Sequence, residues 1–110
     1  GDFCRRTGDA MEYAAFDAFL AALPHPHKLV VLGNHDMSFD TGFDERAALP
    51  SATHVFGCEE ITVCGLRIFG ISWPKRGYHV ALPRGLDLLL THEPPWGFLD
   101  VVGRRHRKHI

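Results

Sequence analysis

Three short polar clusters in this sequence hold residue types that bind metal ions and transfer protons. They are Gly1-Asp2, Gly33-Asn34-His35-Asp36 and Thr91-His92, and the last two each follow an apolar run typical of a buried strand. In α/β sheets, ligand sites form in loops beyond the carboxyl ends of strands. We therefore expect the clusters to deliver their side chains to one rim of a sheet.

Carboxylate, amide oxygen and imidazole together suit a divalent ion such as Mn²⁺, Fe²⁺ or Zn²⁺. The clusters contain no cysteine, which argues against a structural zinc site. Each cluster taken alone also has a simpler interpretation. Gly, Asn and Asp are turn formers, so the segment 33–36 alone fits a turn as well as a metal loop. A lone histidine such as His92 is more often a hydrogen-bonded structural residue.

The spacing of apolar residues predicts the elements that position these clusters. Asp9 and Glu12 form the pattern of a capping box, and helical spacing after it predicts a helix from about Asp9 to Ala22 that Pro24 ends. The next apolar run, Lys28 to Leu32, is rich in β-branched residues. It predicts a buried, parallel strand directly before the second cluster.

The second half of the chain contains further predicted strands. Ile61–Val63 and Leu66–Phe69 flank Cys64-Gly65 and predict a hairpin. Leu86–Leu90 predicts a second buried strand directly before the third cluster. A short helix is predicted over Asp40–Ala48, and a loop over residues 75–84. This order of elements argues for a layered α/β domain.

Composition limits the class of protein. Of 110 residues, 45% are hydrophobic and 23% charged, which is ordinary for a globular domain and argues against disorder. No apolar run approaches the ~20 residues that span a bilayer, so no membrane partner is expected. The three cysteines form no C-x-x-C pair, which favours a reducing, cytoplasmic location. We expect one domain over residues 1–103 and a basic tail over 104–110.

Three other motifs have structural interpretations. His25-Pro26-His27 has metal-like spacing, but it lies in the predicted turn between helix and strand and is interpreted as a solvated connector. Pro94-Pro95 is expected to stiffen the loop behind His92, with Trp96 packing there or lining a cleft. The basic run in the tail has no interleaved aromatic residue, so nucleic acid is not expected as a partner.

The order and surroundings of the three clusters resemble the calcineurin-like metallophosphoesterases. That superfamily is marked by D-x-H, G-D, G-N-H-[D/E], a single His and G-H-x-H, and this sequence contains the middle three in order. The surrounding residues most resemble the metallophosphoesterase-domain-containing (MPPED-type) branch, through stretches such as Leu82-Pro83-Arg84-Gly85 and Thr91-His92-Glu93-Pro94-Pro95. The resemblance covers Gly1 to about Asp100.

The resemblance implies a fold and a site. The fold would be α/β, a partial four-layer αββα metallophosphoesterase sandwich with mixed sheets. The site would hold two divalent metal ions (Mn, Fe or Zn), with Asp2 bridging them and Asn34 and His92 binding the second. A bridging hydroxide would attack the phosphoester. His35 would stand near the leaving group as general acid or charge stabiliser, with Asp36 orienting its ring.

The D-x-H and G-H-x-H motifs do not occur in this sequence, and by the resemblance they would supply most ligands of the first metal. We therefore expect an internal portion of such a domain, with weak metal binding and little turnover. The expected function is metal-dependent hydrolysis of small phosphodiesters or phosphomonoesters, with cyclic nucleotides among the candidate substrates. The alternative is a non-catalytic binding or scaffold protein that retains the fold.

Overall fold

A computed structural model describes residues 1–73, 80–95, 97–102 and 106–107. Its first element, helix α1, spans Ala10–Ala22. The helix begins at the N-cap Asp9, whose carboxylate accepts a hydrogen bond from the Met11 N–H at 2.7 Å. The other half of the predicted capping box is wrong, because Glu12 accepts hydrogen bonds from the Arg5 N–H instead. Within the described residues, no helix is long and apolar enough to cross a membrane.

A two-stranded parallel sheet follows the helix. Strand β1 (Leu29–Val31) confirms the predicted parallel strand, and it pairs with β2 (His54–Phe56), which was not predicted. The segment between them has turns in place of the helix predicted over Asp40–Ala48. The Asp44 carboxylate accepts hydrogen bonds from the N–H groups of Arg46 and Ala47, which closes a single turn. That turn is not propagated into a helix.

A second, three-stranded sheet contains the predicted hairpin. Strands β3 (Cys58–Val63) and β4 (Leu66–Ile71) are antiparallel, and β5 (Leu88–Thr91) runs parallel to β4, so this sheet is mixed. Cys64 and Gly65 join the hairpin with φ angles of 50° and 78°. Two consecutive positive φ angles are the requirement of a tight hairpin turn whose twist matches the strands. A short pair, β6 (Val101–Val102) and β7 (His106–Arg107), completes the described elements.

The main core lies between α1 and the β1–β2 sheet. Its buried side chains come from the N-terminal segment, the helix, both strands and the loop between them: Cys4, Tyr13, Leu20, Val30, Leu32, Leu49 and Val55. The two sheets meet where the Phe56 ring lies directly on Gly70, leaving no room for a side chain there. The α/β class and the mixed sheet are thereby confirmed, and the arrangement is consistent with part of a metallophosphoesterase sandwich.

Ser72 ties the carboxyl ends of three strands together. Its buried hydroxyl accepts a hydrogen bond from the Leu32 N–H at 2.7 Å and donates one to the Phe56 carbonyl. The next residue, Trp73, donates its N–H to the Leu32 carbonyl at 2.7 Å. The ends of β1, β2 and β4 therefore share one edge, and the loops that follow them are held close together.

Candidate metal centre

Side chains from the three polar clusters meet at this edge. His92 Nε2 lies 3.1 Å from Asn34 Oδ1 and 3.5 Å from Asp2 Oδ1. The same Asp2 oxygen accepts a hydrogen bond from the His35 N–H at 3.1 Å. Asp2 and His92 are 90 residues apart in sequence, and His92 is delivered by β5, whose last residue is Thr91. The structure thus brings together the three residues that the sequence analysis assigned as metal ligands.

Two glycines make this close approach possible. A Cβ added at Gly33 would lie 2.6 Å from both the Asp2 nitrogen and His92 Cε1, and it would overlap the Asp2 carboxylate. A Cβ at Gly1 would collide with Leu32 and Gly33 backbone atoms. Because glycine has no Cβ, the backbone can pass at these distances. The Asp2 carboxylate and the His92 imidazole therefore both lie against the backbone of Gly33.

The separations of two of these atoms from His92 Nε2 are close to the spacing of ligand atoms around a divalent cation. With metal–ligand bonds of about 2.1 Å, neighbouring ligand atoms in an octahedral or tetrahedral set lie roughly 3.0–3.4 Å apart. The observed separations from His92 Nε2 are 3.1 and 3.5 Å. Three ligands are fewer than such an ion takes in total. The described residues contain no group of three or more His, Cys, Asp and Glu side chains suited to a metal. At this edge Asp2 and His92 are accompanied by the amide oxygen of Asn34.

His35 is oriented by a backbone carbonyl. Its Nδ1 lies 2.8 Å from the Arg5 carbonyl oxygen. A carbonyl oxygen only accepts hydrogen bonds, so Nδ1 carries a proton in this contact. This differs from the expected role of Asp36 as the group that orients the His35 ring. Arg5 was not a predicted site residue. The contact uses its main-chain carbonyl, so the type of its side chain could not have indicated it.

Asp36 is fully buried and its carboxylate faces the backbone instead. Oδ2 accepts the N–H groups of Asp2 at 2.6 Å and Gly33 at 2.7 Å, and Oδ1 accepts that of Cys4 at 2.9 Å. Its own carbonyl accepts the Tyr13 hydroxyl hydrogen bond at 2.8 Å. Asp36 thus joins the segment before α1, the loop after β1 and the helix itself.

A pocket lies beside one candidate ligand, Asn34. It has a volume of about 270 Å³, and Asn34 contributes to its wall together with Met37, Ser38, Phe39 and Trp73. The Trp73 ring stands edge-on to the His92 ring with centroids 6.1 Å apart, and Phe39 is 87% exposed. Met37, Phe39 and Trp73 were not predicted as site residues. Trp73 follows the end of β4 by two residues. That position indicates a site residue only once β4 is known to end beside β1.

Cys4 is close to the centre but is held in the thiol form. Burial raises the pKa of its thiol to about 11, and the neighbouring carboxylates of Asp36 and Glu12 add to the rise, although a backbone contact with Asp9 opposes it. A thiol is a far weaker nucleophile and metal ligand than a thiolate. Cys4 therefore acts here as an apolar core residue, and all three cysteines are free.

The His25-Pro26-His27 motif lies between α1 and β1. His25 and His27 line a separate open pocket of about 270 Å³ with Leu20, Leu23 and the start of β1. Their place between α1 and β1 agrees with the predicted connector. Trp96, Gly103 and the tail residues 104–105 and 108–110 lie outside the described residues, while the tail residues His106 and Arg107 form β7.

Comparison with known proteins identifies relatives for nearly the whole chain. The human metallophosphoesterase domain-containing protein 1 is 30% identical over 146 residues, covering 98% of this chain and 44% of that protein. The Caenorhabditis elegans UPF0046 protein C25E10.12 is 30% identical over 129 residues, an alignment that covers 91% of this chain and 46% of that protein. The chain therefore spans less than half the length of these relatives. No protein-family model matches it.

Proposed function

The chain is related to the metallophosphoesterase domain-containing proteins along nearly all of its length, and from this premise we propose that it forms the central part of a metal-dependent phosphoesterase site. The observation that carries the proposal is the convergence of Asp2, Asn34 and His92 over Gly33. The names of the relatives indicate the class of reaction. The convergence of these three side chains indicates where in the chain that reaction would take place. Activity and substrate are part of the proposal.

In this proposal Asp2, Asn34 and His92 would bind divalent ions, with Asp2 shared between two of them. Carboxylate and amide oxygens with an imidazole nitrogen favour Mn²⁺, Fe²⁺ or Zn²⁺. When bound, two such ions would neutralise phosphoryl charge and lower the pKa of the attacking water. Three donors alone predict weak binding and slow turnover.

His35 would donate the proton to the leaving group. The Arg5 carbonyl holds Nδ1–H, so the other ring nitrogen, Nε2, would be the donor in the imidazolium form, in which both nitrogens carry protons. The His35 N–H is bonded to Asp2 Oδ1, which keeps the acid next to a metal ligand. Asp36 has no part in the proton transfer, because its carboxylate is occupied by three backbone N–H groups.

The substrate would be a small phosphoester whose organic group enters the neighbouring pocket. Its volume of about 270 Å³ is below the usual 300–1,000 Å³ of ligand pockets, so it would accommodate one small group rather than a polymer. Cyclic nucleotides and aryl phosphoesters remain candidate classes. Three free cysteines agree with a reducing compartment, so a cytoplasmic location is part of the same proposal.

Mn²⁺-dependent hydrolysis of bis(4-nitrophenyl) phosphate tests this function. We expect slow hydrolysis that EDTA abolishes and that Asp2→Ala and His92→Ala both remove. His35→Ala should lower the rate by about a hundredfold while leaving Mn²⁺ affinity unchanged, because general acids contribute 10²–10⁴-fold. His27→Ala, at an exposed histidine in the connector, is the control and should hydrolyse at the wild-type rate.

Equal hydrolysis by the wild type and the His92→Ala variant would contradict the proposed ligand set. Saturable Mn²⁺ binding without any hydrolysis would instead favour the alternative, a binding or scaffold protein that retains the fold.

A further inference from the structure

The buried carboxylate of Asp36 requires an explanation that proton transfer does not give. An ionised carboxylate removed from water is costly unless hydrogen bonds or opposite charges compensate it. In the described part of the chain, no Lys, Arg or His lies within ion-pair distance of Asp36. Its compensation comes from the N–H groups of Asp2, Cys4 and Gly33, at 2.6–2.9 Å.

These N–H groups belong to the two segments that carry candidate ligands. Asp2 supplies a carboxylate to the centre, and Gly33 directly precedes Asn34. Asp2 has a φ of 61°, the left-handed region that residues other than glycine seldom adopt. Its N–H is bonded to Asp36 in that conformation, while its Oδ1 faces His92 and the His35 N–H. One side chain therefore fixes the distance between two ligand-bearing backbones.

Two further contacts hold this arrangement against the helix. The Tyr13 hydroxyl donates a hydrogen bond to the Asp36 carbonyl at 2.8 Å, and the Tyr13 side chain is fully buried. The Phe3 ring, next to Asp2, stacks on Phe16 of α1 with centroids 4.0 Å apart. The position of the Asp36 carboxylate is thus held by contacts with the core.

We propose that Asp36 is a positioning residue that presets Asp2 and Asn34 for a divalent cation without touching the cation or the substrate. The inference rests on the proposed function, and it replaces the role of orienting the His35 ring. Groups that orient metal ligands through hydrogen bonds commonly contribute about 10–100-fold to metal affinity. Asp36 orients its ligands through their backbone rather than through their side chains.

Asparagine and glutamate replacements separate positioning from charge. Asp36→Asn offers one acceptor oxygen to three donors, so at least one buried N–H group would face the amide NH₂ without a partner. Asp36→Glu keeps the charge and both oxygens but moves them by one methylene. Asp44→Asn is the matched control, since Asp44 also bonds two backbone N–H groups but is exposed and bonds residues of its own turn.

The experiment measures Mn²⁺ affinity by calorimetry on variants shown to be folded by circular dichroism, together with backbone amide shifts in the metal-free protein. Both Asp36 variants should weaken Mn²⁺ binding by about tenfold or more, with large shifts of the Asp2, Cys4 and Gly33 amides. Asp44→Asn should change neither. Wild-type affinity in Asp36→Glu with loss only in Asp36→Asn would show that charge alone matters and would overturn the inference.

Wild-type protein provides an independent readout. Amide protons of Asp2, Cys4 and Gly33 should be shifted downfield and show scalar coupling to the Asp36 carboxyl carbon. Absence of these couplings overturns the inference whether or not the variants fold. Failure of the wild type to bind Mn²⁺ would instead refute the proposed function, while the couplings would still report on the backbone contacts.

Discussion

Gly33 is the residue at which the backbone of one candidate ligand segment touches the others. The Asp2 carboxylate and the His92 ring occupy the space that any side chain at position 33 would need. In contrast, a Cβ at Gly42 would meet only Asp40 Oδ1 at 3.4 Å, an ordinary contact. The space for a Cβ is filled at Gly33 and open at Gly42, so the alanine variants of the two glycines form a matched pair.

We predict that Gly33→Ala destabilises the protein by about 1–3 kcal/mol, the usual cost of forcing atoms into a filled space. Gly42→Ala should be neutral or slightly stabilising, because alanine restricts the unfolded chain. Urea unfolding followed by circular dichroism measures both. Equal stability of the two variants would show that Asp2 and His92 do not converge on Gly33.

Residue types and the family resemblance predicted the candidate ligands but not the groups that hold them in place. Gly33-Asn34-His35-Asp36 and His92 each follow a recognisable strand, so the sequence placed them on one rim, and the structure brings their side chains together. Their metal-binding roles remain predictions. The partner of His35 is a main-chain carbonyl, and the partners of Asp36 are main-chain N–H groups. Every residue has a main-chain carbonyl, and every residue except proline has an N–H, so side-chain types could not indicate these partners.

Elements were predictable where the signal was local. Helix α1, strand β1 and the β3–β4 hairpin follow from caps, apolar spacing and a two-residue turn. Strand β2 is only three residues long and depends on pairing with β1, 25 positions earlier in register. The failed helix at Asp40–Ala48 shows the opposite error, since its composition suited a helix but the chain there forms turns.

Glu59 connects several elements and makes stability depend on pH. It contacts His54 of β2, Arg46 of the preceding turn, and the N–H groups of Gly57 and Cys58. Burial raises the pKa of Glu59, but these donors outweigh burial and hold the pKa below its usual value of 4.5. A pKa lowered by folding contributes stability above the unfolded value, and that stability is lost as pH falls through the folded value.

We therefore predict that Glu59→Gln lowers the free energy of unfolding at pH 7 and that the difference from wild type shrinks below about pH 4. Urea unfolding at a series of pH values measures this difference. A difference that stays constant across the series would mean that the ionised form of Glu59 has no special role in joining β2 to β3.

At the scale of the whole molecule, the candidate centre lies where two structural units meet. The α1 and β1–β2 unit holds Asp2 and Asn34, and the mixed sheet delivers His92 through β5. Ser72 and Trp73, which follow β4, join the two units through hydrogen bonds to the backbone of Leu32. A cation held by ligands from both units would link them, so its binding would favour the folded chain.

Titration of the wild-type protein with Mn²⁺ by calorimetry shows whether Asp2, Asn34 and His92 bind a divalent cation. We predict saturable binding that His92→Ala weakens by about tenfold or more, because it removes one of three converging donors. His27→Ala should bind as the wild type does. Binding that is unchanged in His92→Ala, or no saturable binding by the wild type, would contradict the assignment of Asp2, Asn34 and His92 as a metal centre.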